Sequence, residues 1–106
     1  MANYADDVKK YTTYVNEAAV EGIVKHLGIA LRSNDASLVA CTDPVELDRI
    51  REGFMKKKLA LTDSDASLDA ALKGICEHMK ADRTKARVTF YYLLAEKYGK
   101  LSLFVK

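Results

Sequence analysis

Four cations fall within eight residues, Lys80, Arg83, Lys85 and Arg87, directly ahead of an aromatic run. Such side chains contact phosphates, and Lys56-Lys57-Lys58 could join them. Helices over 66–80 and 83–98 would then stand like a helix-turn-helix. Two features count against a nucleic-acid or polyanion site. The formal net charge is only +2. A recognition helix also exposes polar side chains, whereas the stretch 88–95 holds Thr89 as its only polar residue. Cations at a helix N-terminus oppose the helix dipole, so helix stability does not account for them. The competing reading is that they pair with acids of the N-terminal half. Residues 1–53 carry 6 Lys+Arg against 9 Asp+Glu, a balance of −3, and residues 54–106 carry 11 against 6, a balance of +5.

The remaining chemistry-bearing residues are sparse. Cys76-x-His78 puts its two side chains ~200° apart on a helix, too far round to share an ion. Cys41 and His26 would have to converge from elsewhere, and neither Cys-x-x-Cys nor His-x-x-x-His spacing occurs. No metal and no cofactor is expected. Without an evident secretory signal, the two cysteines are expected as reduced thiols, at least one of them buried. Nucleophilic catalysis lacks both a nucleophile elbow and a Gly-rich phosphate loop. The acidic pairs Asp6/Asp7 and Asp48/Glu52 read as solvated helix faces. An enzyme is not expected.

The helices that must carry these residues are readable from periodicity. In the stretch 82–99, Val88, Tyr91, Tyr92 and Ala95 share one face, and Phe90, Leu93 and Leu94 lie on the other. A helix apolar nearly all round is a central helix covered on both sides, by its own chain or by a second subunit. Tyr4, Val8, Tyr11 and Val15 predict a first helix over 3–16, capped by Asn3, with Asp6 and Asp7 suiting the dipole. Val20, Ile23, Val24, Leu27 and Leu31 form a second stripe out of phase by ~160°. This predicts a break near 16–19 and a second helix over 18–32. A single helical turn is expected over 36–40.

Thr42-Asp43-Pro44-Val45-Glu46 is the clearest start signal, with Asp43 as cap, Pro44 first in the helix and Glu46 three after the cap. It opens a helix over 44–58 that buries Leu47, Ile50 and Phe54, carries a Glu52–Lys56 pair and exits through Leu59 and Leu61. Leu68, Ala71, Leu72, Ile75 and Met79 predict the helix over 66–80. Gly99 is a natural C-cap, and an apolar tail follows.

From Asn34 onward the order of features resembles a bacterial family catalogued as domain of unknown function 2853. The matching stretches are Asn34-Asp35-Ala36-Ser37-x-Val39-Ala40 and Asp43-x-x-Glu46-Leu47. Next come Phe54-Met55-x-Lys57-Lys58-Leu59-x-Leu61-x-Asp63 and Leu68-Asp69-x-Ala71. Last is Arg83-x-Lys85-x-Arg87-x-x-Phe90-Tyr91-Tyr92-Leu93-Leu94. The resemblance covers 34–100. Where the family commonly has Leu-Gly-Leu, this chain has Leu59-Ala60-Leu61. The resemblance implies a small helical soluble protein and transfers no catalytic residue.

The expected fold is all-α, one domain over 1–106: a compact bundle of about five helices around a central C-terminal apolar helix, without strands of useful length. The longest apolar run, 90–95, is far short of a membrane span. The start of the chain has no basic region followed by an apolar stretch, so a cytoplasmic address is expected. The expected role is a homodimeric binding or structural module, its contact built from Phe90, Leu94, Leu103 and Phe104. The six tyrosines, Tyr4, Tyr11, Tyr14, Tyr91, Tyr92 and Tyr98, are expected at the core edge or in that interface. The alternative is weak polyanion binding through Lys80, Arg83, Lys85 and Arg87.

Overall fold

A computed structural model describes residues 4–28, 38–80 and 85–105. The architecture is mostly helical. In chain order it has α1 (Tyr4–Val8), α2 (Glu17–Leu27), β1 (Leu38–Val39), α3 (Pro44–Arg49) running on as a π-helix (Ile50–Lys58), α4 (Asp65–His78), β2 (Lys85–Ala86), α5 (Arg87–Lys97) and a 3-10 turn (Leu101–Phe104).

α5 is the central helix. All eight residues from 88 to 95 are buried, on every side of the helix. The covers come from this chain's own α1, α2 and α4. Its polar residue, Thr89, is fully buried and donates to the Asp7 carboxylate on α1. A buried hydroxyl without a partner is costly, so Asp7 is a structural acceptor and not the solvated dipole residue the sequence suggested. Gly99 closes α5 as expected. At φ 66°, its own N–H reaches Glu96 O at 3.1 Å and the Lys100 N–H reaches Ala95 O at 2.8 Å, the two bonds of a Schellman cap.

The N-terminal third departs from expectation. α1 ends at Val8, and one turn carries the chain to Tyr11. Residues 12–16 are not helical, so the break is wider than predicted. The reason is side-chain competition from α5. The Thr12 hydroxyl donates to Glu96 at 3.1 Å, and the Tyr92 hydroxyl accepts from the Asn16 N–H at 2.9 Å. Asn16 then caps α2, its side chain accepting from Ala19 N at 3.2 Å. Residues 29–32 of the predicted second helix lie outside the described residues. Of the helical turn expected over 36–40, residues 38–39 are instead extended. They pair antiparallel with β2, Leu38 opposite Ala86 and Val39 opposite Lys85. Two-residue strands are too short to show an alternation in the sequence.

The third predicted helix switches from α to π winding at Ile50. At α pitch, Ile50, Phe54, Met55 and Leu59 would spread over ~180° of the helix surface. At ~4.4 residues per turn they gather within ~80°, and all four are buried. The predicted Glu52–Lys56 pair forms at 2.8 Å.

The π-helix ends with a wide bond from the Leu61 N–H to Met55 O at 3.1 Å, across Ala60 at φ 55°. Among the described residues Ala60 is the non-glycine with positive φ. This is where the resembling family carries glycine. An alanine held there costs ~1–2 kcal/mol, while glycine loses ~0.4–1 kcal/mol more chain entropy on folding. Ala60→Gly is therefore expected to stabilise the chain by about 0.5–1 kcal/mol, read as a higher denaturation midpoint at unchanged slope. A lower midpoint would mean the turn adjusts elsewhere.

Candidate functional site

The polar side chains of this fold converge on the N-terminal end of α5, where α3, β1 and β2 meet. Arg87 opens α5 and is the centre of the junction. Its guanidinium donates to the Glu46 carboxylate on α3, to the Leu38 carbonyl in β1 at 3.1 Å, and to the Tyr91 hydroxyl one turn along at 3.1 Å. The side chains of Arg87 and Glu46 are only 12% and 16% exposed. Burial works against the Arg87 charge, but the Tyr91 and Glu46 contacts outweigh it, and its pKa moves up from the ordinary value. Burial also raises the Tyr91 hydroxyl, with Arg87 opposing. The Arg87 guanidinium is held charged.

This corrects the role given to Glu46. Asp43 caps α3 as predicted, accepting from Val45 N at 3.0 Å. Glu46 does not reach back to close a capping box. The Asp43 N–H bonds Ala40 O instead, and the Glu46 carboxylate faces Arg87.

The junction borders a covalent one. Cys41, just after β1, is bonded to Cys76 on α4, with Cα atoms 5.9 Å apart. The expectation of two reduced thiols is overturned, because the fold brings together two residues 35 apart in sequence. Neither sulfur remains to bind metal. Among the described residues, no three His, Cys, Asp or Glu side chains converge on a place that could hold an ion.

On the far side of Tyr91 lies an aromatic stack. Phe54 stacks on Tyr91 with centroids 3.9 Å apart, and Phe104 lies 5.9 Å from Phe54. His26 caps both phenylalanines at 6.2 and 6.0 Å. Lys58 sits 5.2 Å from the Phe104 ring centre. Burial, and then the charge of Lys58, lower the His26 pKa. At the other end of α3, Arg51 bonds Asp69 at 2.8 Å, Glu52 at 2.9 Å and Asp48 at 3.1 Å, and Lys56 bonds Asp65 at 2.6 Å. Asp48 and Glu52, read as a solvated face, are exposed and also partnered, while Asp65 and Asp69 tie the start of α4 to the π-helix.

The cations expected to form a polyanion patch have different surroundings where they are described. Arg87 is buried in its ion pair. Lys80 is exposed and 3.7 Å from Glu77. Lys85 is half-buried in β2, and Arg83 lies outside the described residues. The expected dimer contact is also divided. Phe90 and Leu94 are fully buried within the chain, and Phe104 is 7% exposed. None of the three offers a surface to a partner, because the chain supplies both covers of α5 itself. Leu103 faces outward at 47% exposure. Of the tyrosines, Tyr91 and Tyr92 are core and Tyr14 is 78% exposed.

The sequence held a signal for two of the missed residues. Thr89 inside an apolar run demands an acceptor, and Arg87 at the entry of a buried helix demands a counter-charge. Asp7 and Glu46 are those groups, though spacing alone could not name them.

No helix among the described residues is long and apolar enough to cross a membrane. No curated protein matches the chain. A family described as a protein of unknown function (DUF2853) matches residues 3–102, extending the resemblance seen from Asn34 onward through the N-terminal helices. With nearly its whole length matched, the chain belongs to that family.

Proposed function

We propose that this protein is a non-catalytic binding or structural module that works as a homodimer, joined through the outer side of its C-terminal turn. The supporting observation is how the tail divides. Phe104 is inserted into the aromatic stack, while Leu103 and Val105 on either side are 47% and 37% exposed. The segment is anchored by its middle residue, so the outward pair is presented from a fixed base. A second copy would set the same patch against itself about a two-fold axis.

Light scattering across a wide concentration range tests this. The wild-type chain is expected at twice its 11.8 kDa mass. Leu103→Asp with Val105→Asp is expected to return it to one chain and leave the thermal midpoint nearly unchanged, since both side chains lie at the surface. A wild-type chain that stays at 11.8 kDa at every concentration would remove the reading.

A further inference from the structure

α3 has no buried residue, whereas the π-helix it leads into buries Ile50, Phe54 and Met55. Before Ile50, only Leu47 of this helix packs against the core, and it is half-buried. The six residues before that point are held by three tethers. The Cys41–Cys76 bond sits just before α3, the Glu46–Arg87 pair lies at its middle, and the Arg51–Asp69 pair lies beyond its end.

Between α3 and α4 runs a cleft of about 150 Å³, lined by Pro44, Leu47 and Asp48 on one side and Asp69, Leu72 and Lys73 on the other. The disulfide links the chain just before α3 to α4. Cys41 is three residues before Pro44, and Cys76 is one turn after Leu72. Both cysteines are half-buried and not sealed in the core.

We infer that Cys41 and Cys76 form a dithiol–disulfide switch that sets whether α3 is held beside α4, with the α-to-π junction at Ile50 as the pivot. This is independent of self-association through the tail. The reductant is a dithiol. Its thiolate attacks one cysteine sulfur, the S–S bond breaks, and the other cysteine leaves as a thiolate and takes a proton. The second thiol of the reductant then attacks the mixed disulfide, closing the reductant's own disulfide and releasing the remaining cysteine. The protein gains two electrons and two protons, and the reductant loses the same. The change stays local because α3 adds only the half-buried Leu47 to the core that surrounds α5. Release of α3 widens the cleft and uncovers Leu47 and Leu72.

Hydrogen exchange on the full chain, oxidised and then treated with excess dithiothreitol, tests the switch. Amides of 45–50 are expected to exchange at least tenfold faster after reduction. Amides of 88–95 should stay within twofold, and reoxidation should restore the first pattern. Cys41→Ser with Cys76→Ser should show the reduced pattern without any reductant. Unchanged exchange over 45–50, or a bond that dithiothreitol does not open in the folded chain, overturns the inference. So does loss of protection over 88–95 on reduction, or a double variant that fails to fold, since the bond would then be a staple of the whole fold.

Discussion

Gly22→Ala is expected to destabilise the chain by about 2 kcal/mol, against the usual direction for glycine in a helix. Alanine in a helix interior is favoured over glycine by ~1 kcal/mol. At Gly22, though, the C-terminal turn lies directly on the helix. An added Cβ would come within 2.8 Å of both the Phe104 carbonyl carbon and Phe104 Cβ, and closer still to the carbonyl oxygen. Backbone is in the way, so the turn must move. Displacing it withdraws Phe104 from the aromatic stack, a loss of ~3 kcal/mol for a buried phenylalanine. The balance is the expected net effect, or a drop of about 10 °C in thermal midpoint for a domain this size. The ceiling on the loss is the value of docking the tail, which gives a sharp check. In a Phe104→Ala background, Gly22→Ala should cost far less or become stabilising. Gly74 on α4 has nothing within 4 Å of an added Cβ and serves as the control, with Gly74→Ala expected to stabilise. Equal destabilisation by Gly22→Ala in both backgrounds would show that the contact with the tail is not its cause.

The parts of the fold legible in the sequence are those set by one helix at a time. The central apolar helix, the Asp43-Pro44 start and the Gly99 stop all depend on residues within a few positions of each other, and each is where it was expected. The failures are events between elements. The first helix stops at Val8 because Glu96 and Tyr92, some eighty residues on, bond the backbone and side chains of residues 12–16. The π-winding gathers Ile50, Phe54, Met55 and Leu59 into the core, whereas Leu47, Ile50 and Phe54 alone read as a helical stripe. Ala60 is an intermediate case. The family's glycine pointed to the position, and φ 55° gives the physical reason.

The site was less legible because its chemistry is pairing across long separations. Arg87 and Glu46 were each given a role readable from neighbours, a phosphate-contacting cation and a cap residue. Both roles assumed an exposed side chain. Burial of the pair changes both, since the Arg87 guanidinium is committed to a carboxylate, a carbonyl and a hydroxyl of its own chain. The charge asymmetry between the halves of the chain was the usable hint. Here it acts within the molecule, through acids of the first half that meet residues of α5. The cysteines follow the same rule, because their pairing depends on β1 and α4 meeting.

Arg87→Met is expected to carry the largest cost of any polar substitution described. It keeps the length and apolar volume of the side chain and removes every donor. Glu46 is left as a mostly buried carboxylate, and the Leu38 carbonyl and Tyr91 hydroxyl each lose a partner. Breaking a buried ion pair from one side costs ~3–5 kcal/mol, because an uncompensated charge remains. The residual exposure of both side chains lowers that to about 2–4 kcal/mol here. Glu46→Leu should cost less, since the guanidinium keeps the carbonyl and the hydroxyl. The double variant Arg87→Met/Glu46→Leu removes both charges together and should recover at least 1 kcal/mol over the sum of the singles in a denaturant-based double-mutant cycle. The recovery should change little between low and high salt, because a pair shielded from solvent is weakly screened. Additive costs would mean that each residue acts through packing alone. The junction would then hold α3 by shape and not by charge.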